Sequence, residues 1–186
     1  MRQLIIILGD QLNLDCVLPD NYDPAQDGLW MAESGVEARR VWSHKARIAL
    51  FLSAMRHFRN AVIAAGHPLK YLQSDSENLA TLLATSLREK PQKIVLTRPG
   101  DWHVLEELKE VLEASGIPWV LREDPHFIST PLQFGEWAEG RKEMRMEYFY
   151  RGLRQQTGYL MTENGKPEGD RCCLLYTSDA ADERSS

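Results

Sequence analysis

The sequence has 186 residues, 43% of them hydrophobic and 26% charged, with a formal net charge of −5, the composition of one globular domain or of one domain plus part of another. Its longest apolar run, Leu4–Leu8, falls far short of the roughly 20 residues of a membrane span, and Gly9-Asp10-Gln11 follows it where a secretory signal needs a small-residue cleavage site. Cys172 and Cys173 are adjacent and Cys16 stands alone, which leaves no disulfide framework or zinc site; a cytoplasmic protein is expected, and the acidic balance argues against this chain gripping DNA by itself.

The first predicted element is a strand over Leu4–Leu8, whose unbroken branched apolar run suits a strand buried on both faces of a parallel sheet. Leu29–Glu33 reads as the second strand. Residues 45–65 carry Ile48, Phe51, Leu52, Met55, Phe58 and Val62 at helical spacing, and Gly66 followed by Pro68 stops the helix. Leu69–Gln73 is the third predicted strand, and 77–89, with Leu79, Leu82, Leu83 and Leu87, the next helix. Lys93–Thr97 is the fourth strand. The helix over 101–115 is capped by Asp101, striped by Val104, Leu105, Leu108, Val111 and Leu112, and ended by Gly116. Pro118–Arg122 closes the series as the fifth strand. Strand alternating with helix implies βαβ units with right-handed crossovers. An α/β fold is therefore expected over 1–124, a doubly wound, Rossmann-like parallel sheet of five strands.

Residues 125–171 break this alternation. Phe134 and Trp137 precede the block Arg141-Lys142-Glu143-Met144-Arg145-Met146-Glu147-Tyr148-Phe149-Tyr150-Arg151, and residues 141–154 carry a local charge of +3. The segment reads as a helical connector whose aromatic side chains need something to pack against. From Cys173 the chain runs Cys-Leu-Leu-Tyr-Thr-Ser-Asp-Ala-Ala-Asp-Glu, which resembles the in-frame translation of a transposase-type sequencing adapter. Residues 172–186 are accordingly expected to lie outside the fold, with the gene running on past Arg171. Setting aside Asp179, Asp182, Glu183 and Arg184 leaves −3 over residues 1–171.

Ligands of open parallel sheets sit beyond the carboxyl ends of the strands. Here those ends carry Gly9-Asp10-Gln11 and Glu33-Ser34-Gly35-Val36-Glu37. Gly9 permits close backbone approach, and Asp10, Glu33 and Glu37 offer carboxylates to hydroxyl or ring N–H donors; Asp10 and Glu37 read equally as ordinary turn and helix-cap residues. The sequence has no GxGxxG, GxxxxGK[ST] or GxSxG, so dinucleotide, P-loop and nucleophile-elbow readings lose their main support. His44, His57, His67, His103 and His126 lack metal-ligand spacing. Arg56 and Arg59 read as a solvated or interdomain helix face, and no catalytic or metal-binding residue is assigned.

Several blocks together resemble one family. They are Leu8-Gly9-Asp10-Gln11-Leu12, His44-Lys45, Phe51-Leu52-Ser53-Ala54-Met55-Arg56-His57-Phe58, Pro99-Gly100-Asp101-Trp102 and Met146-Glu147-Tyr148-Phe149-Tyr150-Arg151. The chain is similar over nearly all of 1–171 to the photolyase-related proteins, the bacterial (6-4) photolyases and cryptochromes that carry an iron–sulfur cluster. The resemblance implies strand order 3-2-1-4-5 and an amino-terminal antenna domain that binds 6,7-dimethyl-8-ribityllumazine. It places FAD, the cluster and the pocket for UV-damaged DNA in a carboxy-terminal part of which this chain holds no assignable residue. The antenna site it implies comprises Gly9, Asp10, Gln11, Glu33 and Glu37, while Ala32 stands where a cysteine can occur and Arg40 where an aromatic can flank the pigment. The activity implied is light-driven DNA repair, electron transfer from excited reduced flavin to a flipped-out lesion. A blue-light signalling cryptochrome is the alternative within the family, and a generic α/β nucleotide-binding domain the alternative outside it. This chain alone is expected neither to repair DNA nor to bind FAD stoichiometrically.

Overall fold

A buried central strand organises the first part of the chain. In the computed structural model, which describes residues 1–168, β1 (Gln3–Ile6) lies between β2 (Gly28–Ser34) and β4 (Lys93–Thr97). Ile6 is aligned with Trp30 on one side and Leu96 on the other, both in parallel register. β3 (Leu69–Ser74) extends the sheet beyond β2, and β5 (Trp119–Arg122) extends it beyond β4. The order is β3-β2-β1-β4-β5 and every pairing is parallel. The predicted α/β fold and strand order are both present.

Because side chains alternate across a strand, the sheet feeds two cores. Leu4, Ile6, Leu8, Trp30 and Leu96 pack under α4 (Leu79–Ser86) and α5 (Trp102–Ser115). Ile5, Ile7, Leu29, Met31 and Val95 pack under α1 (Leu14–Val17) and α3 (Lys45–Ala64). Trp30 is fully buried, and its indole N–H donates to Ser86 Oγ at 2.9 Å, so its polar edge is satisfied inside the core. Asp101 caps α5 by accepting from the His103 N–H, and Gly116, at φ +65°, ends that helix in the left-handed region.

The element ends differ from the sequence reading for identifiable reasons. Pro118 donates nothing to a ladder, so β5 starts at Trp119, although the Pro118 carbonyl still accepts from the Ile94 N–H at 2.9 Å. Asn78 caps α4 by accepting from the Thr81 N–H, which delays the helix to Leu79, and Leu87–Glu89 finishes as a 3-10 turn. Helices α1 and α2 (Gly35–Arg40) are short, at four and six residues, and show no hydrophobic period to detect.

The chain divides into two compact units, Met1–His126 and a second that begins at Phe127. In the second, Thr130 and Gln133 form a reciprocal capping box that starts α6 (Pro131–Ala138), and α7 (Met146–Thr157) ends at Gly158 with φ +72°. Phe149 meets the rings of Phe134 and Trp137, with centroids 5.2 and 5.0 Å away, and Arg141 stacks over Trp137 at 4.4 Å. Of the aromatics in the 141–151 block, Phe149 is buried, whereas Tyr148 and Tyr150 are exposed. The reading of residues 172–186 falls outside the described residues. Among the described residues no helix is long and apolar enough to cross a membrane.

Candidate functional site

The carboxyl ends of β1, β2 and β4 open into a cavity of about 770 Å³ within the first unit. One wall is apolar, with Ile48, Phe51, Leu52 and Met55 from α3. Another part of the rim comes from the loop after β4, with Pro99, Gly100 and Asp101, and from Trp102 at the start of α5. Gly9, Asp10, Glu33 and Glu37 all line this space, so four of the five predicted residues share one cavity.

Each plays a distinct part. A Cβ on Gly9 would lie 2.5 Å from Phe51 Cζ and 2.9 Å from Met55 Sδ, so glycine is what lets the α3 wall close on the end of β1. Asp10 Oδ2 accepts from the Gly100 N–H at 3.2 Å and ties the β1 loop to the β4 loop. Glu37 lies in the first turn of α2, where its N–H donates to Ser34 Oγ at 3.2 Å. Its carboxylate stands 3.4 Å from Arg40 Nη1.

Glu33 is a buried anchor, with its side chain only 7% exposed. Arg56 donates to both of its oxygens, through Nε at 2.8 Å and Nη2 at 2.7 Å. The Tyr71 hydroxyl and Gln73 Nε2 donate as well. Burial pushes the Glu33 carboxyl up, but the hydrogen bonds from Arg56, Tyr71 and Gln73 and the Arg56 charge outweigh it and hold the group at about 2. Burial and then Glu33 push the Tyr71 hydroxyl well above its ordinary range. Arg56, read as part of a solvated or interdomain helix face, is half exposed and its bidentate guanidinium pair holds α3 to β2.

Gln11, the fifth predicted site residue, does not line the cavity. It is fully buried, and its side chain turns away from the cavity. Nε2 donates to the Thr97 and Arg98 carbonyls at 3.2 and 3.0 Å, and Oε1 accepts from the Leu8 N–H at 3.4 Å. These carbonyls mark the end of β4, where the ladder leaves them without strand partners, so Gln11 is a strut. Gln11→Ala should lower stability by about 1–2 kcal/mol, the usual consequence of stranding buried carbonyls, and leave ligand affinity unchanged. Urea unfolding and ligand titration of the same variant check both halves.

Other residues outside the predicted site set also line the cavity. Asp101 caps α5 and also accepts from Arg40 Nη2 at 2.5 Å. Arg40 and Arg47 supply cationic donors, and Ser43 a hydroxyl. Among the described residues no cluster of three or more His, Cys, Asp or Glu side chains could hold a metal ion. The cavity thus combines an apolar slot with carboxylate acceptors and guanidinium donors around its mouth, the composition of a small-molecule site.

The model of the deoxyribodipyrimidine photo-lyase-related protein family matches residues 5–173. The chain belongs to this family. A (6-4) photolyase of Agrobacterium fabrum is 38% identical over 177 residues, covering 92% of this chain and 34% of the relative. This photolyase-related chain therefore spans about a third of the length of the curated relative it matches.

Proposed function

We propose that this photolyase-related chain forms the light-harvesting part of a cytoplasmic flavoprotein that repairs UV-damaged DNA, and that its cavity binds 6,7-dimethyl-8-ribityllumazine. The observation that carries this reading is the pairing of an apolar wall with separate polar groups in one space of about 770 Å³ at the strand ends. When bound, the pigment would absorb light and pass its excitation to FAD. Phe51, Leu52 and Met55 offer a dry surface for a flat heteroaromatic ring. Glu37 and Asp10, which line the cavity, would accept from ribityl hydroxyls, and Ser43 and Arg47 would donate to carbonyl oxygens. Glu33 has both oxygens engaged and acts by holding α3 in place.

FAD, the iron–sulfur cluster and the damaged-DNA pocket belong, on this reading, to the rest of a longer polypeptide. The net charge of −5 gives this chain little attraction for phosphate backbones. Titrating the purified chain with ribityllumazine, read by fluorescence polarisation, should give saturable one-to-one binding. FAD in the same assay should not bind stoichiometrically. Saturable FAD binding without any lumazine binding would refute the antenna reading.

A further inference from the structure

Helix α2 lies at the cavity mouth, yet none of its six residues is buried. Its attachments are polar and sit on two sides. Toward β3, Gly35 packs so closely that a Cβ would lie 2.9 Å from the Asp75 backbone, and the Arg39 guanidinium donates to the Asp75 carbonyl. Ser34, at the helix cap, donates to the Glu77 carbonyl at 2.7 Å. Toward α5 the tie is Arg40, which reaches Asp101 Oδ2 at 2.5 Å while standing 3.4 Å from Glu37 Oε2. Residues Val41 and Trp42, which follow, are 67% and 89% exposed and add little packing.

The two sides differ in kind. The β3 side is Gly35 packed on the Asp75 backbone plus side-chain hydrogen bonds from Arg39 and Ser34 to backbone carbonyls, and it contains no ion pair for salt to screen. The α5 side is an ion pair with both side chains partly in water, at 32% and 48% exposure, and such pairs are weak and salt-sensitive. Arg40 also offsets crowded negative charge, because burial and then Glu37 raise the Glu107 carboxyl while Arg40 opposes the rise. Without Arg40, the Glu37 and Glu107 carboxylates keep their mutual repulsion with no cation of Arg40 to oppose it, and Asp101 keeps only its cap bonds to α5.

We propose that α2 and residues 41–43 form a lid over the cavity, anchored on the Asp75 side, and that the Arg40–Asp101 bridge is the latch that sets how often the lid opens. Ligand entry and exit pass through the gap between α2 and α5. Arg40 is thus a positioning residue that keeps Glu37 over the cavity. The part of this inference that concerns pigment exchange rests on the proposed function, whereas the lid is a property of the free chain.

Hydrogen exchange of the full chain tests the latch without any ligand. Arg40→Ala removes the cation, and Asp101→Asn removes the charge while keeping a side chain that caps α5 equally well. Both variants should exchange the amides of residues 35–43 about two- to fivefold faster than wild type, the factor expected for losing one exposed ion pair. Wild type in molar salt should do the same, and the amides of β1 and α5 should keep their rates. Unchanged exchange over 35–43 in both variants overturns the latch, and so does acceleration spread equally over α5. Release of ribityllumazine from the loaded chain should quicken by the same factor, and release at the wild-type rate from a lid that opens faster overturns its role as the gate. A chain that binds no ribityllumazine refutes the antenna reading, while the exchange result still decides the latch.

Discussion

Glu33→Ala should destabilise the first unit by about 3 kcal/mol, read as a fall of roughly 10 °C in Tm. The magnitude follows from a carboxyl held at about 2 against an ordinary 4.5, in a side chain only 7% exposed. The substitution frees Arg56, which is half exposed and returns to water. Tyr71, which is partly buried, loses its acceptor, while Gln73 is exposed and also returns to water. The same shift dictates an acid dependence. Because the folded value is depressed, the stabilisation is fully present above pH 4.5 and disappears as pH falls towards 2. Wild type should therefore lose stability across that window more steeply than the variant. Parallel pH profiles for the two proteins would show that the Glu33–Arg56 pair does not govern acid unfolding.

Glu37→Ala should weaken ribityllumazine binding about ten- to a hundredfold, since a buried hydrogen bond to a carboxylate contributes about 1.5–3 kcal/mol. Its effect on folding should be small. The carboxylate's ionic contact is Arg40 at 3.4 Å, and the capping bond to Ser34 comes from the Glu37 backbone, which alanine retains. Loss of affinity without loss of Tm is thus the signature of a ligand-facing group. In a longer photolyase-related protein the same change should remove the antenna absorption band and leave flavin absorption intact. A lumazine band at wild-type intensity would reduce Glu37 to a first-turn helix residue and place the pigment elsewhere.

What the sequence discloses about this molecule tracks the range of the interactions involved. The run from Leu4 to Leu8 is local, and its branched apolar character alone implies a strand covered on both faces; the run is buried on both, while the strand itself spans Gln3–Ile6. The Asp101 and Gly116 caps are local too. The Thr130–Gln133 capping box was equally visible as a Thr-Pro-Leu-Gln pattern, and reading it would have placed α6. Arg56, by contrast, finds Glu33 across 23 residues, and Arg40 finds Asp101 across 61. Helical periodicity says which side of α3 faces outward but not which carboxylate waits there. The strut role of Gln11 was illegible for the same reason, since its partners are backbone carbonyls 86 and 87 positions away, which no residue pattern records. The lid escaped notice because a six-residue helix with no buried side chain leaves no hydrophobic stripe.

The central position of β1 has a consequence for synthesis on the ribosome. Gln3 is aligned with Lys93 in the finished sheet, whereas the other flank of β1 pairs with β2, beginning at Gly28. A nascent chain can thus zip the first hairpin-free pair early, yet one edge of its most apolar strand stays open until β4 has left the exit tunnel. Such an edge is a template for pairing with other chains. Slow translation between β2 and β4, or any premature stop in that interval, should therefore favour aggregation and demand chaperone cover, far more than a stop after β5 would.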